Sequence, residues 1–288
     1  MSPERLPQRA SATARVREFA FEEADFQALR AQVKALTGIT LGDHKRELVY
    51  SRLARRLRAL QLRSFAEYRA RLASDVQEVA ELRNAITTNL TAFFREPHHF
   101  EYLRERWLPT LSAPGGAPRR LRLWSAGCSS GEEAYSIAMT LLESATALSG
   151  WDVRILATDV DSQMLAQARR GRYAPQRMAG ISPQRRARFF TAPTGALEDG
   201  WTVTPQLAAL VTFKELNLMH ALPMKGPLDV IFCRNVVIYF DRDTQRDLFA
   251  RIACLQRPGD LLFLGHSETL FKVNDNYALI GKSIYRRV

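Results

Sequence analysis

The spacing of apolar residues divides the chain into two parts that follow different periods. Residues 17–88 read as helical throughout. Within 44–60, Val49, Leu53, Leu57 and Leu60 recur at intervals of four, four and three, which stacks them on one helix face. Helix continues to about Leu111, where the Pro/Gly run SAPGGAPRR (112–120) punctuates the chain. From Leu121 the pattern changes to short unbroken apolar runs. These runs, Leu121–Ser125, Val153–Ala157, Asp229–Cys233 and Leu261–Gly265, alternate with helical stretches at Glu132–Leu148, Ser162–Arg170 and Thr244–Leu255. Such alternation predicts a parallel sheet covered by helices. Residues 188–215 interrupt it with short apolar pieces around PTG and EDG, which predicts a small antiparallel unit inserted in the α/β domain. The end, YALIGKSIYRR, alternates like a final strand. The expected organisation is therefore a disordered tail at 1–16, a helical domain at 17–88, and a linker with one helix at 89–120. A Rossmann-like α/β domain at 121–288 follows, carrying the insert at about 188–215.

A chain of 288 residues, 46% of them hydrophobic, is long enough to bury one large core or two modest ones. No apolar run approaches the roughly 18 residues of a membrane span; the longest candidate, Val230–Phe240, is broken by Arg234 and Asn235. The opening MSPERLPQRASATARV has no apolar core of the kind a secretory signal needs. Cys128, Cys233 and Cys254 lack CxxC spacing, so neither a zinc site nor a disulfide framework is expected, and a reducing cytosol fits. The net charge of +11 calls for an acidic partner, whether protein, nucleic acid or membrane surface.

Candidate chemistry begins in LWSAGCSSGEEAYSIAM (123–139). An apolar run leads into a turn with Gly127 and Gly131, then into acidic residues that open a helix. A doubly wound sheet holds its cofactor at this place, beyond the carboxyl end of the first strand, and the glycines let the backbone turn tightly there. The third glycine of GxGxxG is missing, as is the GK[ST] of a phosphate loop, so provision for a pyrophosphate is weak. Glu132 and Glu133 suit the helix dipole, but they also repel a pyrophosphate and welcome a positive centre. S-adenosylmethionine, with a sulfonium, an amino group and no phosphate, meets both conditions. The next strand ends ILATDVD, where Asp159 or Asp161 can accept hydrogen bonds from a ribose diol. Arg234 interrupts an apolar strand, where an unpaired guanidinium is costly to bury. His98, His99 and His266 lack metal-ligand spacing with a carboxylate or cysteine, and no metal is expected.

Four stretches, in order, carry a resemblance: NLTAFFRE (89–96), SAGCSSGEEAYSIAM (125–139), IFCRNVVIYF (231–240) and LLFLGHSE (261–268). Together they resemble the bacterial chemotaxis receptor methyltransferase (CheR) family, from about residue 20 to the C-terminus. The resemblance implies S-adenosylmethionine as cofactor, S-adenosylhomocysteine as product, and methyl transfer to glutamate side chains on chemoreceptor cytoplasmic helices. It implies cofactor contacts at Asn89, Thr91, Arg95, Glu133, Asp159, Asn217, Leu218, Arg234 and Asn235. Two departures are mild: Ser130 stands where the family commonly has threonine, and Ala134 where it commonly has proline.

Methylating a glutamate needs no general base, because a carboxylate with a pKa near 4.3 is already the nucleophile at neutral pH. What remains is orientation, worth up to roughly 7–11 kcal/mol in ideal cases. Arg95 and Tyr239 are the expected acceptor-holding residues, the first through charge-assisted bonds and the second through its hydroxyl; the resemblance implies the same pair. A nucleic-acid methyltransferase would suit the charge but typically shows a [DN]PP[YFW] motif, absent here. Another protein methyltransferase, or a sensor that binds the cofactor without catalysis, completes the alternatives. Residues 44–72 hold nine Lys/Arg against two Asp/Glu, and Lys45, Arg52, Arg55 and Arg56 fall on one arc of the helix. That arc is the expected docking face for an acidic receptor helical bundle. A cytoplasmic monomer that binds no nucleic acid and inserts in no membrane is the corresponding expectation.

Overall fold

The computed structural model describes residues 17–111, 119–193, 195 and 200–288. The tail at 1–16, most of the Pro/Gly run and part of the insert's tip lie outside the described residues. Four helices build the first domain: α1 (Glu23–Thr37), α2 (Arg46–Ala59), α3 (Phe65–Leu72) and α4 (Val76–Ile86). Their starts follow local chemistry. Ser64 accepts a hydrogen bond from the Glu67 N–H at the head of α3, and Asp75 accepts from the Gln77 and Glu78 N–H groups at the head of α4. The heptad-like face of α2 is buried as expected, with Val49, Leu53 and Leu57 packed on Leu29 and Val33 of α1 and Leu82 of α4. Each such side chain contributes about 1.5–3 kcal/mol by leaving water.

A linker leads to α5 (His98–Tyr102), which continues through a π turn and a 3-10 turn to Thr110. The second domain alternates β1 (Arg120–Ala126), α6 (Glu132–Glu143), β2 (Asp152–Asp159) and α7 (Ser162–Arg170). Next come β3 (Arg172–Tyr173), α8 (Pro183–Phe189), β4 (Phe190–Thr191), β5 (Trp201–Val203), α9 (Pro205–Ala208) and β6 (Val211–Glu215). It closes with β7 (Val230–Cys233), α10 (Arg242–Ala253), β8 (Leu261–Leu264), β9 (Tyr277–Gly281) and β10 (Ile284–Arg287). The main sheet has the order β6-β2-β1-β7-β8-β10-β9. Its first five strands are parallel, and β10 runs antiparallel to β8 and β9.

The central strands alternate between two cores. Val230 and Phe232 of β7 pack on one face with Leu123, Leu261 and Phe263, while Ile231 and Cys233 pack on the other with Trp124, Leu262 and Leu264. Burial on both faces is why these strands read as unbroken apolar runs.

Two boundaries differ from expectation. The antiparallel unit is a three-stranded sheet, β3-β5-β4, so it begins at Arg172 rather than 188, and its last strand ends at Val203. Val211–Glu215 is not part of it: β6 pairs in parallel with β2 and forms the edge of the main sheet. The final segment is a hairpin, not one strand, because the chain reverses at Lys282 and Ser283.

Candidate active site

A cleft of about 930 Å3, measured to its open mouth, lies beyond the carboxyl ends of β1, β2 and β7. The order of strands reverses at this point, with β2 on one side of β1 and β7 on the other. The linker supplies Asn89, Thr91 and Arg95; the β1–α6 turn supplies Gly127, Ser129 and Glu133; β2 supplies Asp159. Asn217 and Leu218 follow β6, and Arg234, Asn235 and Tyr239 follow β7. Of the cofactor and acceptor residues named from sequence, Gly131 alone does not line this cleft. The cleft also takes Thr37 and Ile39 from the end of α1, which sequence reasoning missed. Nothing in a helical period says that the residues after a helix stop will reach another domain.

Backbone geometry shapes the turn. The N–H groups of Gly127 and Cys128 both donate to the Thr158 carbonyl, at 2.8 and 2.9 Å. Gly127 has φ +83°, and a Cβ there would lie 2.4 Å from Val236 Cγ2. Gly131, at φ +97°, opens α6 with its back against Ala168 and the Tyr173 hydroxyl. Phe94, Glu96, Ser129 and Asn235 also hold positive φ, between 49° and 58°. Each such position costs about 1–3 kcal/mol, and their gathering around one cleft is what a functional site shows.

The two candidate ribose acceptors are separated by their surroundings. Asp161 caps α7 with one oxygen, while its other oxygen accepts from the Thr87 hydroxyl at 2.7 Å and from Asn89 Nδ2 at 2.8 Å. It clasps the linker behind the cleft wall. Asp159 lines the cleft, accepting from the Ser129 N–H at 2.7 Å and the Asp161 N–H at 2.9 Å. Burial pushes its carboxyl up to about 6, and those two N–H bonds hold it from going higher.

The glutamate pair divides similarly. Glu132 turns away, binding Arg177 and the Ser130 hydroxyl. Glu133 remains in the wall, accepting from the Ser125 hydroxyl at 2.7 Å and from Arg234 at 3.1 Å. The expectation that both carboxylates welcome a positive ligand is thus corrected: one faces elsewhere and the other already has a cation. Arg234, its side chain 2% exposed, also meets Glu96 at 3.3 Å and donates to the Arg95 carbonyl. The guanidinium that breaks an apolar strand is a brace joining β7, the linker and α6.

Asn89 and Asn217 face the cleft with their amides already engaged. Asn89 donates to Asp161, and Asn217 donates to the Leu36 carbonyl while accepting from the Met219 N–H. Both tie the helical domain or linker to the α/β domain. So do Asn84 with Ser162, Arg83 with Glu215, Lys34 with Asp241, and the Thr40 N–H with the Tyr239 carbonyl. Arg95 donates one bond to the Leu90 carbonyl at 2.9 Å. Among the described residues nothing bonds the Tyr239 hydroxyl, and Lys45 Nζ sits 5.8 Å from its ring centre.

Glu96, His98 and His99 bring one ligand atom each within 4.8 Å of one another, a proximity their spacing did not suggest. Their atoms have other partners. Both histidine Nε2 atoms meet the Lys282 carbonyl, at 3.2 and 3.0 Å, and Glu96 binds His266 and Arg234. Against the effect of burial, the His266 bond and the Arg234 charge bring the Glu96 carboxyl down to about 2. A metal cation here would sit beside a buried guanidinium. Cys128 and Cys233 are buried, and burial pushes their thiols well above the usual range, so neither is a nucleophile.

The basic arc on α2 is not one docking face. Arg52 Nη1 donates to the carbonyls of Ala85, Ile86 and Thr87, closing the end of α4. Arg56 makes a two-point pair with Glu78, a carboxylate 3% exposed that also accepts from the Tyr68 hydroxyl. Only Lys45 and Arg55 of the four are not engaged in holding α2 to α4. Charge counting missed this because the acid lies on another helix.

The family described as CheR methyltransferase, all-alpha domain, matches residues 24–87, and that described as CheR methyltransferase, SAM binding domain, matches 89–286. Chemotaxis protein methyltransferase 2 of Pseudomonas aeruginosa is 44% identical over 271 residues, covering 93% of this chain and 94% of its own. The chemotaxis protein methyltransferase of Salmonella typhimurium is 42% identical over 274 residues, covering 92% and 91%. Among solved structures, the CcbJ methyltransferase from Streptomyces caelestis overlaps 50% of this chain and 44% of its own, with 16% identity and a TM-score of 0.32.

Proposed function

The chain belongs to the CheR methyltransferase family, and from that membership we propose how its cleft performs the family's reaction, methyl transfer from S-adenosylmethionine to glutamate side chains of chemoreceptors. It is an S-adenosylmethionine-dependent methyltransferase. When bound, the cofactor supplies a methyl group on a positively charged sulfur.

The observation that carries the assignment of roles is the placement of Asp159. Its carboxylate is buried at the cleft wall with two N–H donors, which leaves acceptor capacity for a ribose diol. Thr91, Gly127, Leu218 and Asn235 complete the cofactor wall, with Glu133 and Arg234 bracing it and Asn89 and Asn217 fixing its edges. Both cations in the lining are balanced: Arg234 by Glu133 and Glu96, Arg95 in part by the Leu90 carbonyl. That distribution suits a cofactor without phosphates.

Arg95 and Tyr239 hold the acceptor carboxylate. The Tyr239 hydroxyl donates to one oxygen, and the Arg95 guanidinium keeps the group ionised and directed. No proton has to be removed, so the residues contribute by orientation and partial exclusion of water. The partner is an acidic receptor helical bundle, met through Lys45 and Arg55, and the enzyme works in the cytoplasm. No helix among the described residues is long and apolar enough to cross a membrane.

The test incubates the protein with tritiated S-adenosylmethionine and receptor-containing membranes, then treats the product with base. Volatile radioactive methanol from receptor bands marks glutamate methyl esters. Label on nucleic acid, or base-stable label on protein, would overturn the reading.

A further inference from the structure

We infer that Glu268 is a positioning residue for the cleft, a carboxylate that fixes the Asn235–Tyr239 segment by gathering its backbone N–H groups. Glu268 does not line the cleft. It lies in the loop after β8 and is 6% exposed. Its Oε2 accepts from the N–H groups of Gly265 at 2.6 Å and Asn235 at 2.8 Å. Its Oε1 accepts from Val236 and Val237, both at 2.9 Å, and from Ile238 at 3.3 Å. Four consecutive donors of the Asn235–Tyr239 segment therefore end on one side chain from a different strand.

The physical case has three parts. The 3-10 turn Val237–Tyr239 has no side-chain cap from its own flank, so its leading N–H groups would be orphaned without Glu268. Among the described residues no cation pairs with Glu268, so backbone amides alone balance its charge, and loop and carboxylate hold each other in place. The packing leaves no slack: a Cβ on Gly265 would lie 2.4 Å from Asn235 Nδ2 and 2.9 Å from Glu268 Oε2. Asn235, at φ +58°, is held in its left-handed conformation by this clasp. The two oxygens thus serve two sides of the cleft. Oε2 sets Asn235, and Oε1 sets the turn that presents Tyr239. This inference rests on Asn235 contacting the cofactor and Tyr239 the acceptor.

That division makes Glu268→Gln informative. The amide retains one acceptor oxygen, which three N–H groups attract to the Oε1 position, and it turns an NH2 toward the N–H groups of Asn235 and Gly265. The expected result is an S-adenosylhomocysteine dissociation constant raised about tenfold, the effect of losing one bond to a charged group. KM for S-adenosylmethionine should rise in step, with kcat at saturating cofactor and receptor within about twofold of wild type. A role in folding alone would lower kcat through the active fraction and leave the affinity of folded protein unchanged. Gly265→Ala reaches the same asparagine by crowding its amide and should give the same split, should Glu268→Gln not fold. Asn235→Ala is run in parallel. If Asn235→Ala leaves cofactor affinity unchanged, the reading of the cleft fails. If Asn235→Ala weakens binding while the folded variants, Glu268→Gln and Gly265→Ala, bind normally or lose only kcat, the inference about Glu268 is overturned.

Discussion

Cofactor affinity should fall as the solution is acidified below pH 7, and one carboxylate sets the size of the fall. Burial pushes Asp159 from 3.8 to about 6 in the unliganded protein, with the Asp161 and Ser129 N–H bonds acting in the opposite direction. A ribose diol donates to the ionised form, so only that fraction is fully competent. With a pKa of about 6, the competent fraction is about nine-tenths at pH 7, half at pH 6 and one-tenth at pH 5. The dissociation constant for S-adenosylhomocysteine should therefore be about tenfold larger at pH 5 than at pH 7, about 1.4 kcal/mol. Calorimetric titration at constant ionic strength from pH 5 to 8 measures this directly. Glu133 and Glu268 are also pushed up by burial, so Asp159→Asn is needed to isolate the effect. Its affinity will be weaker throughout, but its profile should be nearly flat. A flat wild-type profile, or an equal slope in Asp159→Asn, refutes the reasoning. Stability carries the opposite sign. A carboxyl raised by folding contributes stability that is fully present below 3.8 and lost as pH rises through about 6. The cofactor-induced rise in melting temperature should consequently widen with pH across this window.

Tyr239→Phe should lower kcat while leaving S-adenosylhomocysteine affinity nearly intact; normal turnover would return Tyr239 to a packing role. On α2, Arg55→Glu should raise KM for receptor, and the effect should fade between 0.1 and 1 M salt as the screening length shrinks from about 10 to about 3 Å. Arg52→Glu should instead destabilise the protein by about 2–3 kcal/mol in denaturant unfolding, because three carbonyls at the end of α4 lose their donor and meet a like charge. Arg56→Ala should cost about 3 kcal/mol by leaving Glu78 buried beside only Tyr68 and the head of α4. Equal stability for Arg55→Glu and Arg52→Glu would contradict the division of the arc.

Sequence made the cleft legible where one strand and its following turn carry the signal together. The runs ending at Ala126, Asp159 and Cys233 are buried on both faces, so their apolar content is continuous and their polar termini stand out. It was less legible where partners are distant. The pattern of β6, with Phe213 alone buried among Val211–Glu215, matches a solvent-facing hairpin strand as well as a sheet edge. Asp159 and Asp161 are two residues apart at the end of one strand, and only the linker's return to Asp161 distinguishes them. Glu268 was visible as part of LLFLGHSE, but amides 27 to 33 positions away have no signature in side-chain chemistry.

The shared walls of the cleft bear on how such an enzyme can be recombined. Thr37 and Ile39 belong to the helical half, and that half is fastened at Leu36, Thr40, Asn84 and Thr87 to Asn217, Tyr239, Ser162 and Asp161. A chimera made by grafting a foreign helical domain to redirect the enzyme would alter its cofactor chamber together with its target preference. Specificity and catalytic competence are therefore inherited together, and a successful graft has to carry both sides of this seam.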